Sequence, residues 1–166
     1  MNNSVCEEFV QYLDKEGALE CASAPGHIQT WLDDLNLPDG LASFMMCSWP
    51  QADGFIAHIR MNSSAALYAD ETTALLLKYK FMNAGSAPNG DWFVIDFSSK
   101  ACIPGFIPLA EWDHQNQKPP NPRKYFQPIA RSFESFLYRA VEGRYLPTDS
   151  YAAADFNAFL ADERSA

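Results

Sequence analysis

The chain has 166 residues with a formal net charge of −9, and hydrophobic residues make up 48% of it. This composition is typical of one globular domain with its own core, and it excludes a largely disordered chain. The negative charge repels phosphate groups, so we expect neither nucleic acid nor an anionic membrane surface as a partner. No apolar run approaches the ~20 residues that span a bilayer, so we expect no membrane segment.

The charge is distributed unevenly along the chain. Residues 1–59 hold nine acids and one base, residues 60–144 carry a net charge of +2, and residues 145–166 carry −3. An acidic surface of this kind has two interpretations: it maintains solubility, or it meets a basic protein partner. The sequence leaves both interpretations open.

The cysteines are scattered, and no two of them form a Cys-x-x-Cys pair. They are Cys6, Cys21, Cys47 and Cys102. The first eight residues have neither the basic nor the apolar region of a secretory signal. We therefore expect a cytoplasmic protein whose thiols are reduced and mostly buried.

Three helices are predicted in the first third of the chain. The first covers residues 4–16, where a capping box precedes apolar residues at helical spacing. The second covers residues 27–35, and the third covers residues 39–47. Pro38 suits the start of the third helix because its missing N–H group does no harm there, and Pro50 marks the end of the helical region.

The pattern then changes from helical to extended. Residues 55–61 and 64–68 predict short strands, and the polar residues 70–73 predict the start of a helical turn that runs through Leu77. Residues 77–82 alternate apolar side chains with lysines, which is typical of a strand with one wet face.

A β-hairpin is predicted at the centre of the fold. Residues 89–91, Asn-Gly-Asp, form a turn signal, and residues 92–97 are aromatic and β-branched. After a second turn, residues 103–112 resume an extended pattern. Pro104 and Pro108 remove backbone donors, so we expect this second strand at a sheet edge or at a bulge.

The last third of the chain predicts a loop followed by two helices. Residues 114–124 are polar, basic and rich in proline, which predicts an exposed extended loop. Residues 129–143 have the clearest helical periodicity of the chain, and Gly143 is a good stop signal. Asp149 fits a cap for a last helix over residues 151–163.

The sequence contains no recognisable catalytic or metal-binding motif. His27, His58 and His114 are far apart and no cysteine lies near another, so we expect no metal and no cofactor. Contact between Cys102 and His114 is conceivable because both lie near the same predicted strand. A buried thiol beside a surface histidine is the simpler interpretation.

Two aspartates, Asp91 and Asp96, flank the first strand of the predicted hairpin. Side chains at odd spacing point to opposite faces of a strand, so these carboxylates are not expected to act as a catalytic pair. Asp91 is expected to order the turn that precedes the strand.

Several short motifs occur in a characteristic order. They are Leu37-Pro38 before a helix that leads to Phe44, Trp49-Pro50, Gly85-Ser86, Asn89-Gly90-Asp91 with the apolar strand to Asp96, Phe106-Ile107, and the helical segment from Ile129 to Leu137. Their order and spacing, over residues 28–147, resemble the SMI1/KNR4 family, also called the SUKH superfamily. The proline-rich loop at residues 114–124 departs from the compact family pattern.

The resemblance implies an α+β fold, with a central, mostly antiparallel β-sheet, helices packed against it, and flanking N- and C-terminal helices. It implies one SUKH-like domain over residues 1–166, in which residues 148–166 are an added C-terminal helix. Many bacterial members of the family look like immunity proteins, which neutralise a cognate toxin by binding it. The family has no general catalytic motif, so the resemblance supplies no catalytic residue.

The first hypothesis is therefore a non-catalytic cytoplasmic protein that neutralises a basic toxin domain by direct binding. Its candidate contacts, chosen by charge and by position at the ends of elements, are Trp49, Asp53, Trp92, Glu111, Trp112 and Asp113. A tryptophan at such a position packs in the core or anchors an interface, and both remain open for each. The alternatives are a regulatory or scaffold module for a host protein and a small enzyme that uses Cys102 and His114.

Overall fold

The fold is that of a computed structural model, which describes residues 24–50, 52–69, 71–109 and 121–162 together with Glu7 and Gln11. Glu7 and Gln11 are helical, and the rest of the predicted first helix at residues 4–16 lies outside the described residues.

Two short helices open the described part of the chain. Helix α1 covers Gly26–Asp34 and helix α2 covers Asp39–Cys47, which confirms both predictions to within a residue. Each begins after a proline whose carbonyl oxygen accepts the first hydrogen bonds of the helix: Ile28 N donates to Pro25 O, and Leu41 N donates to Pro38 O. Their apolar faces are buried in the core.

Six strands form one antiparallel sheet in which each strand pairs with the next one along the chain. They are β1 (Gly54–Ile56), β2 (Ile59–Met61), β3 (Phe81–Ser86), β4 (Trp92–Asp96), β5 (Ile103–Ile107) and β6 (Gln127–Pro128). The predicted hairpin is confirmed as β4 and β5, with Trp92 opposite Ile107 and Asp96 opposite Ile103. The second strand was predicted to residue 112, but β5 ends at Ile107, and residues 110–112 lie outside the described residues.

The prediction from Pro104 and Pro108 for the position of β5 in the sheet was wrong. We expected it at an edge or a bulge, but it lies between β4 and β6, and it pairs with β4 along its whole length. The edge strand is β6, which pairs with β5 only at Gly105 and Phe106. Pro104 lies just outside that short ladder, so its missing N–H group removes no bond to β6.

The chain between α2 and β3 corrects three other predictions. Residues 64–68 were predicted as a strand but form helix α3, Ser64–Ala69, in which Ser63 Oγ accepts a hydrogen bond from Ala66 N. Residues 55–61 form the hairpin β1–β2, because Ala57 turns the chain with a φ of 53°. Helix α4, Glu71–Leu77, follows as predicted, whereas β3 starts only at Phe81, after Lys80 at a φ of 62°.

The structure of the last part of the described chain agrees more closely with the predictions. Residues 121–124 of the predicted loop are described and contain a 3₁₀ turn, Pro122–Lys124, whereas residues 114–120 lie outside the described residues; helix α5 covers Phe133–Val141. It begins later than predicted because Gln127 and Pro128 join the sheet and Ser132 forms the cap. Helix α6 covers Ser150–Asp162, and Asp149 Oδ1 accepts a hydrogen bond from Ala152 N, as its predicted capping role requires.

Apolar side chains cover both faces of the sheet. The larger cluster includes Phe44, Trp49, Phe93 and Phe136 and lies under α1, α2 and α5, whereas the smaller one contains Leu76, Phe81, Val94 and Ile107. The molecule is thus an α+β structure in which helices at both ends flank an antiparallel sheet, as predicted. None of the described helices is long and apolar enough to cross a membrane.

Candidate functional site

Trp49, the first of the predicted contacts, lies in the core. Its side chain is 0% exposed, its Nε1 donates to the Asn62 carbonyl oxygen at 2.9 Å, and its ring stacks on Phe133. Of the two alternatives for this residue, core packing is the one observed. A ring without accessible surface offers nothing to a partner in this conformation, so Trp49 no longer belongs among the candidate contacts.

Asp53 is exposed, but its carboxylate already has partners within the chain. Oδ1 accepts a hydrogen bond from Ser63 N at 2.7 Å, and Oδ2 forms an ion pair with Arg60 at 2.8 Å. The Ser63 backbone bond, helped by Arg60 and opposed by burial, lowers the pKa of Asp53 below its ordinary value. Its charge is therefore partly neutralised before any partner approaches.

The next predicted contact, Trp92, lies apart from Trp49. Trp92 is half-buried and packs against the smaller apolar cluster, on the sheet face opposite the cluster that holds Trp49. Glu111, Trp112 and Asp113 lie outside the described residues.

Asp91 orders its turn as predicted and also joins three parts of the chain. Its carboxylate accepts hydrogen bonds from Asn89 Nδ2, from Leu109 N and from Ser150 N at the start of α6. Burial raises the pKa of Asp91, but the bonds from Ser150, Asn89 and Leu109 outweigh burial, so its pKa lies below the ordinary value. This buried carboxylate serves the fold.

Asp96 has a separate set of partners. Arg123 donates from Nη1 and Nη2 to its two carboxylate oxygens, at 2.7 and 3.1 Å, and also to the Tyr79 carbonyl oxygen. Burial raises the pKa of Asp96, but the hydrogen bonds from Arg123 and Ser98 outweigh burial, so its pKa lies below the ordinary value. Asp91 and Asp96 share no partner among these bonds.

Cys102 is a buried thiol with a high pKa. Burial, with the nearby charge of Asp96, raises its pKa to about 11, so the thiol is protonated at neutral pH and donates to the Ser99 carbonyl oxygen at 3.7 Å. A nucleophilic cysteine requires a lowered pKa. Its suggested partner His114 lies outside the described residues, and within the described ranges no three His, Cys, Asp or Glu side chains converge as metal ligands.

An open cleft of about 310 Å³ lies where the first turns of α2 and α5 meet the β4–β5 turn. Its walls include Leu41, Cys102 and Phe133, and its lining carries both signs of charge, Lys100 against Asp39 and Glu134. Trp49, Asp53 and Trp92, the predicted contacts that the structure describes, do not line it. Mixed charge and shallow walls do not select one class of ligand.

A different surface, at the end of α1, carries two exposed carboxylates, and Lys80 and Lys100 line a cleft with residues 36–38 just after this helix. Asp33 and Asp34 are exposed in the last turn of this helix, and neither forms an ion pair with any residue in the described ranges. Residues 24–59 contain no lysine or arginine. The helix dipole favours cations at this end, so two aspartates here are electrostatically unfavourable for the fold.

Aromatic rings that the sequence analysis did not select lie beside these aspartates. Trp31 of α1 and Tyr68 of α3 meet edge to face with their centroids 5.7 Å apart, and His27 meets Tyr68 in the same way at 5.4 Å. The spacing of His27, Trp31 and Asp34 on one helical face was a usable signal. Tyr68 could not have been added from sequence because residues 64–68 were predicted as a strand.

No protein-family model, curated protein or solved structure matches this chain at a significant level.

Proposed function

We propose that this chain is a non-catalytic protein-binding domain, an immunity protein that neutralises a basic toxin domain by binding it. The observation that carries the proposal is the exposed pair Asp33 and Asp34, which lacks ion-pair partners among the described residues and disfavours the helix that bears it. Charge that is unfavourable for folding and available to solvent is suited to recognition.

The charge of this part of the chain favours basic partners. Residues 24–59 contain no lysine or arginine, although Lys80 and Lys100 line a cleft with residues 36–38, just after α1. An acidic surface accelerates encounter with an oppositely charged protein and repels nucleic acid. Such acceleration falls with ionic strength, which provides a direct test.

The architecture supports the same proposal. An antiparallel sheet with helices at both ends is what the resemblance to the SMI1/KNR4 family implies, and bacterial members of that family look like immunity proteins. A fold alone does not establish a function, so the argument rests on the charge at the end of α1.

The test is capture of a partner followed by an assay of its toxicity. A tagged copy of the chain is expected to retain a basic protein in stoichiometric amount from lysate of the native organism at low salt, and to release it at high salt. Expression of that protein alone should arrest growth, and co-expression of the chain should restore it. A captured protein that is harmless when expressed alone would contradict the immunity function and favour a regulatory module.

A further inference from the structure

The rings beside the acidic end of α1 form a firmly held aromatic surface. Trp31 is half-buried and packs against the main core, so its ring has a fixed position. Tyr68 stands edge-on to it and is 49% exposed, and His27 contacts the same tyrosine from the previous turn of α1. A tryptophan and a tyrosine that are anchored at one end and exposed at the other are typical of binding hot spots.

One of the two aspartates lies on the same side of the helix as these rings. Asp34 follows Trp31 by three positions, which places it on the next turn of the same face, whereas Asp33, two positions after Trp31, lies towards the other side. We call the set His27, Trp31, Asp34 and Tyr68 the α1–α3 surface. It combines exposed aromatic area with a carboxylate that forms no ion pair among the described residues, and Asp33 adds negative charge beside it.

We infer that the α1–α3 surface is the site where a basic protein partner docks, and that an arginine side chain of the partner is its main contact. A guanidinium group stacks on aromatic faces and donates paired hydrogen bonds to carboxylates, and this surface offers both at once. A lysine ammonium group stacks less well and lacks the planar donor pair. This inference rests on the proposed function and specifies where and how the partner is bound.

The other large exposed apolar side chains lack this combination. Phe55 stands opposite Arg60 on the β1–β2 hairpin, and Tyr145 adjoins Arg139, whose side chain donates to its carbonyl oxygen. Arg139 opposes a basic partner at Tyr145, and the carboxylate of Asp53 at the hairpin is already paired with Arg60. Tyr151 and Asp155 are both exposed and lie one helical turn apart on α6, but no second aromatic ring among the described residues packs against Tyr151. Tyr151 and Asp155 therefore serve as control residues.

Titration of the ¹⁵N-labelled chain with hexa-arginine and hexa-lysine peptides, followed by NMR, tests the docking site without a known partner. Amide shifts are expected to cluster in residues 26–34 and 64–68, to weaken at high salt, and to be larger for the arginine peptide. The variants Asp33→Lys/Asp34→Lys and Tyr68→Ala should each reduce the affinity for hexa-arginine by about fivefold or more. Asp155→Lys and Tyr151→Ala should change it by less than about twofold.

Amide shifts that cluster on another surface, or equal affinities for all four variants, would overturn the inference. The spectra themselves report whether each variant is folded, and Tyr68→Phe, which retains the ring, should bind as the unmodified chain does.

The captured partner then separates this inference from the proposed function. If the partner binds Asp33→Lys/Asp34→Lys as tightly as it binds the unmodified chain but the chain still restores growth, the docking site is wrong and the immunity function stands on the growth assay. If that variant loses the partner but the partner is harmless when expressed alone, the docking site stands and the immunity function is wrong.

Discussion

The carboxylates around the sheet differ from those at the end of α1 in what surrounds them. Asp53, Asp91 and Asp96 each accept hydrogen bonds from backbone N–H groups and side chains of the chain itself, and their pKa values are lowered. Asp33 and Asp34 are exposed without ion-pair partners in the described part of the chain. The difference shows that the net charge does not distinguish two groups of carboxylates: one group stabilises the fold, and the other is available to a partner.

The difference follows from where each carboxylate lies on its element. Asp91 and Asp96 flank β4, where the turns leave backbone N–H groups without strand partners, and a carboxylate accepts such bonds well. Asp33 and Asp34 lie in the last turn of a helix, where the unpaired backbone groups are carbonyl oxygens that repel a carboxylate.

The largest expected effect is the loss of the Asp91 carboxylate. Asp91→Ala removes the acceptor for Leu109 N and Ser150 N and leaves buried donors unpaired, which should lower the free energy of unfolding by about 3 kcal/mol. Urea unfolding followed by circular dichroism measures this loss. Asp33→Ala, the matched variant on α1, should change the free energy by less than about 0.5 kcal/mol. If Asp91→Ala and Asp33→Ala lower the free energy of unfolding equally, the two groups of carboxylates do not differ in their contribution to stability.

The next effect concerns the Arg123–Asp96 pair. Arg123→Met retains an apolar chain over the Phe81 ring but removes the hydrogen bonds to Asp96 and to the Tyr79 carbonyl oxygen. The arginine side chain is 38% exposed, so screening limits the expected loss to about 1.5 kcal/mol.

Arg60→Met is the control for this variant, because the Arg60–Asp53 pair has the same chemistry with both side chains at least 36% exposed. It should cost about 0.5 kcal/mol. If Arg60→Met lowers the free energy of unfolding as much as Arg123→Met in the same urea titration, burial does not explain the difference expected between the two ion pairs.

Acid should weaken the fold through the same carboxylates. Asp91 and Asp96 have pKa values below the ordinary value of 3.8, so their contribution to stability is fully present above that pH and is lost as the pH falls through their folded-state values. Thermal unfolding measured from pH 6 downwards should therefore show a loss of stability that begins near pH 4 (about the ordinary pKa of an aspartate). Asp91→Asn should show a shallower loss.

Much of the fold could be predicted because its signals are local. The turn at residues 89–91 and the apolar run after it specify the central hairpin, and apolar spacing specifies α1, α2 and α5. Strand β6 could not be predicted, since two residues carry no pattern and pair only because β5 is already in place. Helix α3 was missed for a related reason, because six residues are too few to distinguish a helical from an extended period.

The candidate site was harder to predict than the fold. Trp49 was selected because it lies at the end of an element. The direction of its side chain, however, depends on packing against Phe44 and Phe133, and Phe133 is distant from it in sequence. The same rule passed over Trp31, whose apolar helical spacing indicates a core residue although part of its ring reaches the surface beside Tyr68. Tertiary contacts decide which tryptophan is accessible.

The smallest expected effect has the opposite sign to the others. Asp33→Lys/Asp34→Lys places cations where the dipole of α1 favours them, and it should raise the free energy of unfolding by about 0.5–1 kcal/mol at low salt. Urea unfolding at low and high salt measures the gain, which should shrink as salt screens the dipole. Asp155→Lys on α6, with half that change of charge, controls for the general effect of a less negative chain. A fold that becomes more stable while it loses its basic partner would show that these aspartates are retained at a cost to stability, whereas a fold that becomes less stable would place them with Asp91 among the carboxylates that hold the structure together.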